Sequence, residues 1–166
     1  MEQNQANQQT PRTDARKSWD RYFFDIAILA SERATCDRLH AGCVLVRNRQ
    51  IISTGYNGSL SGEAHCDNAG HLLLDNHCIR TIHAEINAIA SAARNGSYTQ
   101  GCTAYVTHYS CYSCIKAMIA AGINRILFDK TYTSALKTWP IGMKKEFLEN
   151  INTVYLAGVP IKLLQV

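Results

Sequence analysis

The sequence has no apolar stretch that approaches the roughly 20 residues that a membrane-spanning helix needs. Met1 to Asp14 are rich in Gln and Asn and contain no apolar block of the kind found in secretion signals. Both absences predict a soluble, cytoplasmic protein. Residues 1–15 also lack side chains that could pack against a core, so we expect a disordered tail there. Apolar residues make up 46% of the sequence, which is enough for one domain over residues 16–166.

Apolar periodicity and turn residues predict alternating helices and strands. Trp19 to Ala34 have apolar side chains at spacings of three and four, and Ser18 is placed to cap a helix. Residues 57–80 show no sustained period and form an unusually long loop. The other predicted elements are strands at Ala41–Val46, Ile51–Tyr56, Thr103–Val106, Asn124–Phe128 and within Thr153–Leu164, and helices at Ile82–Arg94, Tyr112–Ala121 and Gly142–Asn150. This order predicts an α/β fold, a three-layer α/β/α sandwich around a mixed sheet with parallel neighbours among its later strands.

Seven cysteines are many for a cytoplasmic chain, and their odd number would leave one thiol unpaired in a disulfide framework. Metal ligation explains most of them better. Cys43 and Cys102 are exceptions, because they lie in strand-like apolar runs and are interpreted as small core residues.

The pattern with the clearest chemistry is His83-Ala84-Glu85 followed by Cys111 and Cys114. One histidine and two cysteines supply three zinc ligands and leave a fourth position open to water, which zinc makes acidic enough to ionise near neutral pH. Glu85 is then available to shuttle a proton from that water to a ring nitrogen and a departing ammonia. His-x-Glu with Cys-x-x-Cys is the signature of zinc deaminases that act on nucleobases, so the pattern predicts a hydrolytic deaminase.

Both parts of this pattern are predicted at the starts of helices. The helix dipole and the free backbone N–H groups there stabilise thiolates. The alternative interpretation makes His83 a core histidine and places Cys111 and Cys114 in a closed zinc site or a redox pair. That alternative leaves Glu85 unexplained.

Longer motifs resemble those of the deoxycytidylate deaminase family, in particular its bacterial branch that includes the late-competence homologues. The resemblance extends from about Trp19 to Tyr132 and implies the fold of the cytidine deaminase superfamily. It also implies zinc-dependent hydrolysis of dCMP to dUMP and ammonia, which feeds dTTP supply. The motifs are Gly55-Tyr56-Asn57-Gly58, the Cys/His-rich loop that ends His77-Cys78-Ile79-Arg80-Thr81-Ile82, the run His83 to Ile89, and the segment Thr103 to Cys114.

This resemblance assigns roles to single residues. Glu85 matches the catalytic proton shuttle of the family. Asn57 matches the asparagine that hydrogen-bonds the deoxyribose, although an asparagine between glycines is also typical of a plain turn. The backbone of Ala84 matches the donor to the base carbonyl. The implied ligands of the catalytic zinc are His83, Cys111 and Cys114.

Two further positions have weaker matches. Tyr132 lies where the family often has an aromatic residue near the base, whereas its alternative is a core aromatic. Arg94 matches a position associated with nucleotide phosphate or effector contacts, whereas its alternative is a favourable cation at a helix C-terminus. The family includes hexamers that are activated by dCTP and inhibited by dTTP. The resemblance therefore implies an allosteric homo-oligomer.

Ser110 departs from the family pattern, which has proline directly before the first cysteine of the pair. Proline rigidifies a turn and has no backbone N–H. We therefore expect the turn before Cys111 to be looser or differently aimed. Metal binding should persist because the ligands are intact.

A second group of soft ligands predicts a structural zinc site. Such a site would explain how a long, glycine-containing loop is ordered, since metal ligation replaces the core that the loop lacks. His65 and His77 are candidate substitutes within this group, and unligated buried thiols are the alternative. The preferred ligands are Cys36, Cys66, His71 and Cys78.

Charge is sparse, since charged residues make up 18% of the chain and the formal net charge is +4. This balance weakly favours anionic ligands such as nucleotides, but a solvated basic surface explains it equally. A deaminase that acts on a base within RNA would need basic and aromatic residues around its pocket, and no Lys/Arg cluster flanks either motif. A non-catalytic zinc protein in competence or assembly is the alternative from another functional class.

Overall fold

The computed structural model describes residues 16–130, 135–149 and 153–163, so the predicted tail at 1–15 lies outside the described residues. Among the helices in these ranges, none combines the length and the apolar character that a membrane crossing requires. The helices are α1 (Trp19–Ser31), α2 (Cys66–Ala69), α3 (Ala84–Arg94), α4 (Tyr112–Ala120) and α5 (Ile141–Glu149), with a short 3-10 helix at Ala135–Thr138. The strands are β1 (Gly42–Arg47), β2 (Gln50–Tyr56), β3 (Gly58–Ser59), β4 (Leu73–Leu74), β5 (His77–Cys78), β6 (Thr81–Ile82), β7 (Thr103–His108), β8 (Arg125–Lys130), β9 (Thr153–Leu156) and β10 (Val159–Leu163).

Six strands form a mixed sheet in the order β2-β1-β7-β8-β10-β9. Strand β1 pairs antiparallel with β2 and β7, whereas β8 runs parallel to both β7 and β10. Helix α4 lies between the parallel strands β7 and β8 in the chain, as a β-α-β crossover requires. The predicted mixed sheet with parallel later strands is confirmed.

The two faces of the sheet have separate cores, because successive side chains of a strand point to opposite faces. Val44 and Val46 of β1 pack with α1 on one face. Cys43 and Leu45 of the same strand belong to the larger core on the other face, which also contains buried residues of α3 and α4. The helical residues of this larger core include Ala84, Ala88, Ile115 and Met118. The predicted α/β sandwich of three layers is thus confirmed.

Helix α1 begins as predicted, because the Ser18 side chain accepts a hydrogen bond of 3.2 Å from the backbone N–H of Arg21. It ends at Ser31 rather than at Ala34. The residues after Ser31 form turns with hydrogen bonds between residues three apart, as from the N–H of Ala34 to the carbonyl of Ser31.

A carboxylate ties α1 to the sheet. Asp20 accepts hydrogen bonds of 3.0 and 2.8 Å from the guanidinium of Arg125 in β8. It also accepts one of 2.7 Å from the hydroxyl of Tyr105 in β7. The hydrogen bonds from Arg125 lower the pKa of Asp20, although burial opposes them.

The C-terminal segment differs from the prediction of a single strand within Thr153–Leu164. It forms a hairpin of β9 and β10, which pair antiparallel. Ala157 and Gly158 turn the chain with positive φ values of 50° and 77°, as tight two-residue hairpin turns require. The turn was missed because alanine rarely adopts this backbone geometry.

Gly55 of β2 sets how closely α3 approaches the sheet. A Cβ atom at this position would overlap the carbonyl oxygen of Ala84 and the backbone nitrogen of Ala88. Only glycine leaves room for the helix backbone here. The first turn of α3, which carries Glu85, is thereby held directly against the strand.

Candidate metal centre

His83, Cys111 and Cys114 meet at the starts of two helices. His83 is the N-cap of α3 and Cys111 is the N-cap of α4, while Cys114 lies in the first turn of α4. Nδ1 of His83 is 3.6 Å from Sγ of Cys111 and 3.4 Å from Sγ of Cys114. The prediction placed His83 on the first helical turn, and the structure moves it to the capping position just before that turn.

These separations fit tetrahedral zinc. With Zn–S near 2.3 Å and Zn–N near 2.0–2.1 Å, a sulfur and a nitrogen ligand on a tetrahedron lie about 3.6 Å apart. The three ligand atoms all lie within 4.8 Å of one another, and no fourth protein ligand joins them among the described residues. We call His83, Cys111 and Cys114 the three-ligand cluster. Its donor set fits an open zinc site with one position left for water or substrate.

The helix start favours a thiolate at Cys111. Hydrogen bonds from the Cys114 thiol, from His83 and from the backbone N–H of Cys114 lower the pKa of Cys111 to about 4, against the opposing effect of burial. The hydrogen bond to Cys111, together with burial, raises the pKa of Cys114. Metal ligation needs both sulfurs as thiolates, so a bound cation would favour the deprotonated form of both.

Glu85 lies in the first turn of α3 and exposes only 5% of its surface. Burial raises the pKa of its carboxyl, while Ser110 and the charge of His83 act in the opposite direction. A carboxyl with a raised pKa exchanges protons more readily near neutral pH. The geometry is compatible with the predicted proton shuttle, which stays a prediction.

Ser110 is buried, and a residue from another segment of the chain restrains its backbone. Its carbonyl oxygen accepts a hydrogen bond of 2.9 Å from the indole nitrogen of Trp139. Its hydroxyl lies near enough to Glu85 to lower the pKa of that carboxyl, but it has no partner of good hydrogen-bond geometry among the described residues. The Trp139 contact supplies a restraint that the prediction of a looser turn did not include.

A second cluster lies in the long loop and at the end of α1. Sγ of Cys66 is 3.6 Å from Sγ of Cys78, and Sγ of Cys36 is 3.7 Å from Nδ1 of His71. Tetrahedral zinc places such ligand pairs about 3.6–3.8 Å apart. We call this group the loop cluster, and its ligand atoms all lie within 4.8 Å of one another. It consists of the four preferred residues, Cys36, Cys66, His71 and Cys78.

The surroundings of the loop cluster also suit a metal. Nε2 of His71 is 3.2 Å from a carboxylate oxygen of Asp37, which is a common partner for a histidine that binds zinc through its other nitrogen. Burial opposes ionisation of Cys78, but hydrogen bonds from the backbone of Arg80 and from His71 lower its pKa to about 7. His65, a predicted substitute ligand, is exposed and lies outside the cluster.

A cavity of about 780 Å³ borders both clusters. Its described lining includes Glu85 and its neighbours in the first turn of α3, along with two basic residues, Arg38 and Lys137. This volume is in the range of pockets that bind small molecules of nucleotide size. Residues 75–78 of the long loop and residues 81–82, which follow it in β6, form part of its wall.

Asn57 and Ala84 both line this cavity. The Asn57 side chain accepts a hydrogen bond of 2.7 Å from the N–H of Ala41 and donates one of 2.7 Å to the carbonyl of Leu39. Its amide therefore stabilises the backbone and retains one N–H and one lone pair for a ligand. Ala84 is the first residue of α3, a position whose N–H has no partner within the helix.

The remaining predicted residues lie elsewhere. Arg94 ends α3, is exposed, and is absent from the described cavity lining. Tyr132 lies outside the described residues. Arg38, Lys137 and Trp139 were not predicted, because lone basic and aromatic residues carry no spacing signal.

Comparisons with known proteins agree with this site. Residues 17–130 match the family described as the cytidine and deoxycytidylate deaminase zinc-binding region. ComE operon protein 2 of Bacillus subtilis (strain 168) is 45% identical over 117 residues, which cover 70% of this chain and 62% of that protein. The chain thus spans less than two thirds of the length of this relative.

Two proteins named for deoxycytidylate deamination are also similar. The deoxycytidylate deaminase of Enterobacteria phage T2 is 32% identical over 165 residues, covering 76% of this chain and 88% of the phage protein. The crystal structure of dCMP deaminase from cyanophage S-TIM5, in complex with dCMP and dUMP, aligns with a TM-score of 0.64 and 23% identity, covering 88% of this chain and 95% of that chain. This second likeness shows a shared fold.

Proposed function

Because the chain belongs to the cytidine and deoxycytidylate deaminase family, we propose that it is a hydrolase that converts dCMP to dUMP and ammonia with the help of zinc. The observation that carries the proposal is the three-ligand cluster beside the buried carboxyl of Glu85, both on the wall of a nucleotide-sized cavity. The phage T2 relative supports dCMP as the substrate, since it is named a deoxycytidylate deaminase.

In this proposal, His83, Cys111 and Cys114 would hold the zinc, which would supply Lewis-acid activation of a water molecule near neutral pH. Glu85 takes the proton from the attacking water and gives it to the ring nitrogen next to the amino-bearing carbon. It then takes the remaining proton from the hydroxyl now bonded to that carbon and passes it to the amino group, so that the C–N bond breaks, ammonia departs and a carbonyl remains. Burial of Glu85 favours this exchange, because it raises the pKa of the carboxyl.

The cavity residues support an orientation for the nucleotide. The free N–H at the start of α3, on Ala84, is available to the base carbonyl, and the remaining N–H of Asn57 is available to the sugar. Arg38 and Lys137 are the cations of the described lining, so we place the phosphate near them.

Zinc is supported at both clusters by their donor chemistry, but its count per chain stays a prediction. The same holds for one domain over 16–166, the cytoplasmic location, a homo-oligomer such as a hexamer, and regulation by dCTP and dTTP.

A substrate panel tests the proposed reaction. Zinc-loaded protein should release ammonia from dCMP faster than from dCTP, deoxycytidine or tRNA, and Glu85→Gln should abolish this release while keeping the zinc. Activity on tRNA alone would contradict the dCMP assignment and favour a deaminase of bases within RNA.

A second candidate is a non-catalytic zinc protein that acts in competence or assembly. Similarity to ComE operon protein 2 and serine at position 110 favour it. It predicts a folded, zinc-loaded protein that turns over none of these substrates, with wild type and Glu85→Gln indistinguishable.

A further inference from the structure

The rings of His77 and His83 are in contact, and both residues line the cavity. Their Nε2 atoms are 3.4 Å apart, at the long end of the range for a hydrogen bond, and their rings meet edge to face with centroids separated by 5.5 Å. His77 belongs to neither metal cluster. The contact therefore has no explanation as metal ligation.

The ring orientation of His83 determines which of its two nitrogens can bind a metal and which can donate a hydrogen bond. Its Nδ1 faces the sulfurs of Cys111 and Cys114, so that nitrogen must carry a lone pair to bind a metal. The proton of the neutral ring then sits on Nε2, which becomes the donor, and Nε2 of His77 becomes the acceptor. A histidine that binds metal usually donates its second N–H to such a partner, which fixes its tautomer and orientation.

Strand β5 connects this contact to the loop cluster. It consists of only His77 and Cys78, and neighbouring residues of a strand point to opposite sides. Cys78 lies 3.6 Å from Cys66 in the loop cluster, while His77 meets His83 on the other side. The position of the His77 ring therefore depends on whether the loop cluster holds this strand in place.

We propose that His77 is a positioning residue for the three-ligand cluster, and that filling the loop cluster strengthens zinc binding there through β5 and His77. The proposal rests on the zinc site of the proposed function but not on its substrate. It concerns affinity for metal, which is measured without any turnover.

The experiment uses the full chain and Zn²⁺ in competition with a chromophoric chelator. Cys114→Ser and Cys66→Ser identify which release step belongs to the three-ligand cluster and which to the loop cluster. His77→Leu, which keeps bulk but removes the acceptor, should weaken the three-ligand step about tenfold. His77→Gln offers an oxygen acceptor at similar reach and should restore affinity to within about twofold of wild type. His40→Leu, at an exposed histidine outside the described cavity lining, is the matched control and should change neither step.

A double variant tests the link to the loop. With Cys66→Ser present, the three-ligand step should already be weaker, and adding His77→Leu should change it by less than about twofold. With Cys66 intact, His77→Leu should shift the visible spectrum of Co²⁺ at the three-ligand cluster, whereas in the Cys66→Ser background it should leave that spectrum unchanged.

Several results would overturn the proposal. Equal affinities for His77→Leu and His40→Leu would remove the positioning role, and so would failure of His77→Gln to restore binding. An undiminished effect of His77→Leu in the Cys66→Ser background, or a loop cluster that takes no zinc, would remove the coupling. A protein without dCMP turnover would contradict the proposed function and leave these affinities measurable.

Discussion

The indole nitrogen of Trp139 donates a hydrogen bond of 2.9 Å to the carbonyl oxygen of Ser110, the residue directly before Cys111. Trp139 is itself buried and packs edge to face with Tyr109 and Phe147. A side chain from beyond β8 thus restrains the turn that brings Cys111 to the three-ligand cluster.

Replacing Trp139 with Phe tests this restraint. Trp139→Phe keeps most of the ring packing but leaves the buried Ser110 carbonyl without its donor, which should lower the free energy of unfolding by about 1–3 kcal/mol. Chemical denaturation of the zinc-loaded protein measures the loss. Trp19→Phe, at a side chain that is 49% exposed, is the control and should change stability by less than about 0.5 kcal/mol. Equal effects of the two variants would contradict a role for the indole N–H.

Gly55→Ala should push α3 away from β2, because the added Cβ meets helix backbone that cannot rotate aside. We expect a loss of about 1–3 kcal/mol in unfolding free energy. We also expect weaker zinc binding at the three-ligand cluster, since His83 caps the displaced helix. The matched control is Gly142→Ala in α5, where a Cβ meets nothing within 4 Å and alanine is the better helix former. Thermal unfolding and zinc content distinguish the two, and similar behaviour of both variants would show that the close approach is unimportant.

Asp20→Asn should destabilise the protein in a pH-dependent way. The pKa of Asp20 is lower in the folded protein, so its contribution is fully present above the unfolded value of about 3.9 and is lost as pH falls through the folded pKa. Because the side chain is about one third exposed, we expect a difference of about 1 kcal/mol at neutral pH. Urea denaturation from pH 7 to pH 3 should show the difference shrinking below about pH 4. A difference of equal size at pH 7 and pH 3 would indicate that the charge of Asp20 is not its source.

The phosphate placement predicts an effect on KM. Arg38→Ala and Lys137→Ala should each raise KM for dCMP at least about tenfold, since each removes a charge-assisted hydrogen bond. The rate with deoxycytidine, which has no phosphate, should change little. Arg94→Ala serves as the comparison, because Arg94 is absent from the described cavity lining. If Arg94→Ala raised KM as much as Arg38→Ala, the phosphate would lie nearer the end of α3 than we propose.

Zinc at the loop cluster should order the long loop. Wild type should contain two zinc ions per chain by elemental analysis, one for each cluster of ligands. Cys66→Ala should contain one, and limited proteolysis should then cut within residues 58–82. Cys102→Ala, a change at a buried thiol outside both clusters, should keep both ions and resist cleavage. Two ions in Cys66→Ala would show that the loop cluster is not a zinc site.

The sequence predicts the metal-binding residues of the site better than it predicts the residues that hold them in position. His83, Cys111 and Cys114 are predictable because few side chains bind zinc and their spacing is unusual. The loop cluster is predictable for the same reason. The contacts of His77 with His83 and of Trp139 with Ser110 are not, since they join separate segments through residue types that have many other uses.

The fold is also predictable only in part. Alternation of apolar residues predicts the sheet, because burial of one face requires it. The hairpin between β9 and β10 is not predictable in this way, since its turn uses Ala157 where glycine or asparagine is usual. The phosphate-binding role that we propose for Arg38 is not predictable either, because nothing in the local sequence distinguishes Arg38 from Arg94.

The cavity wall formed by residues 75–78 and 81–82 comes from a segment that contributes no strand to the six-stranded sheet. This segment folds back on itself in short pairs and is anchored to the body of the protein at Cys36 and Thr35. Exchanging this segment for that of a relative would therefore change the pocket wall and the His77 contact with His83 together, while the pairing of the six strands stays intact.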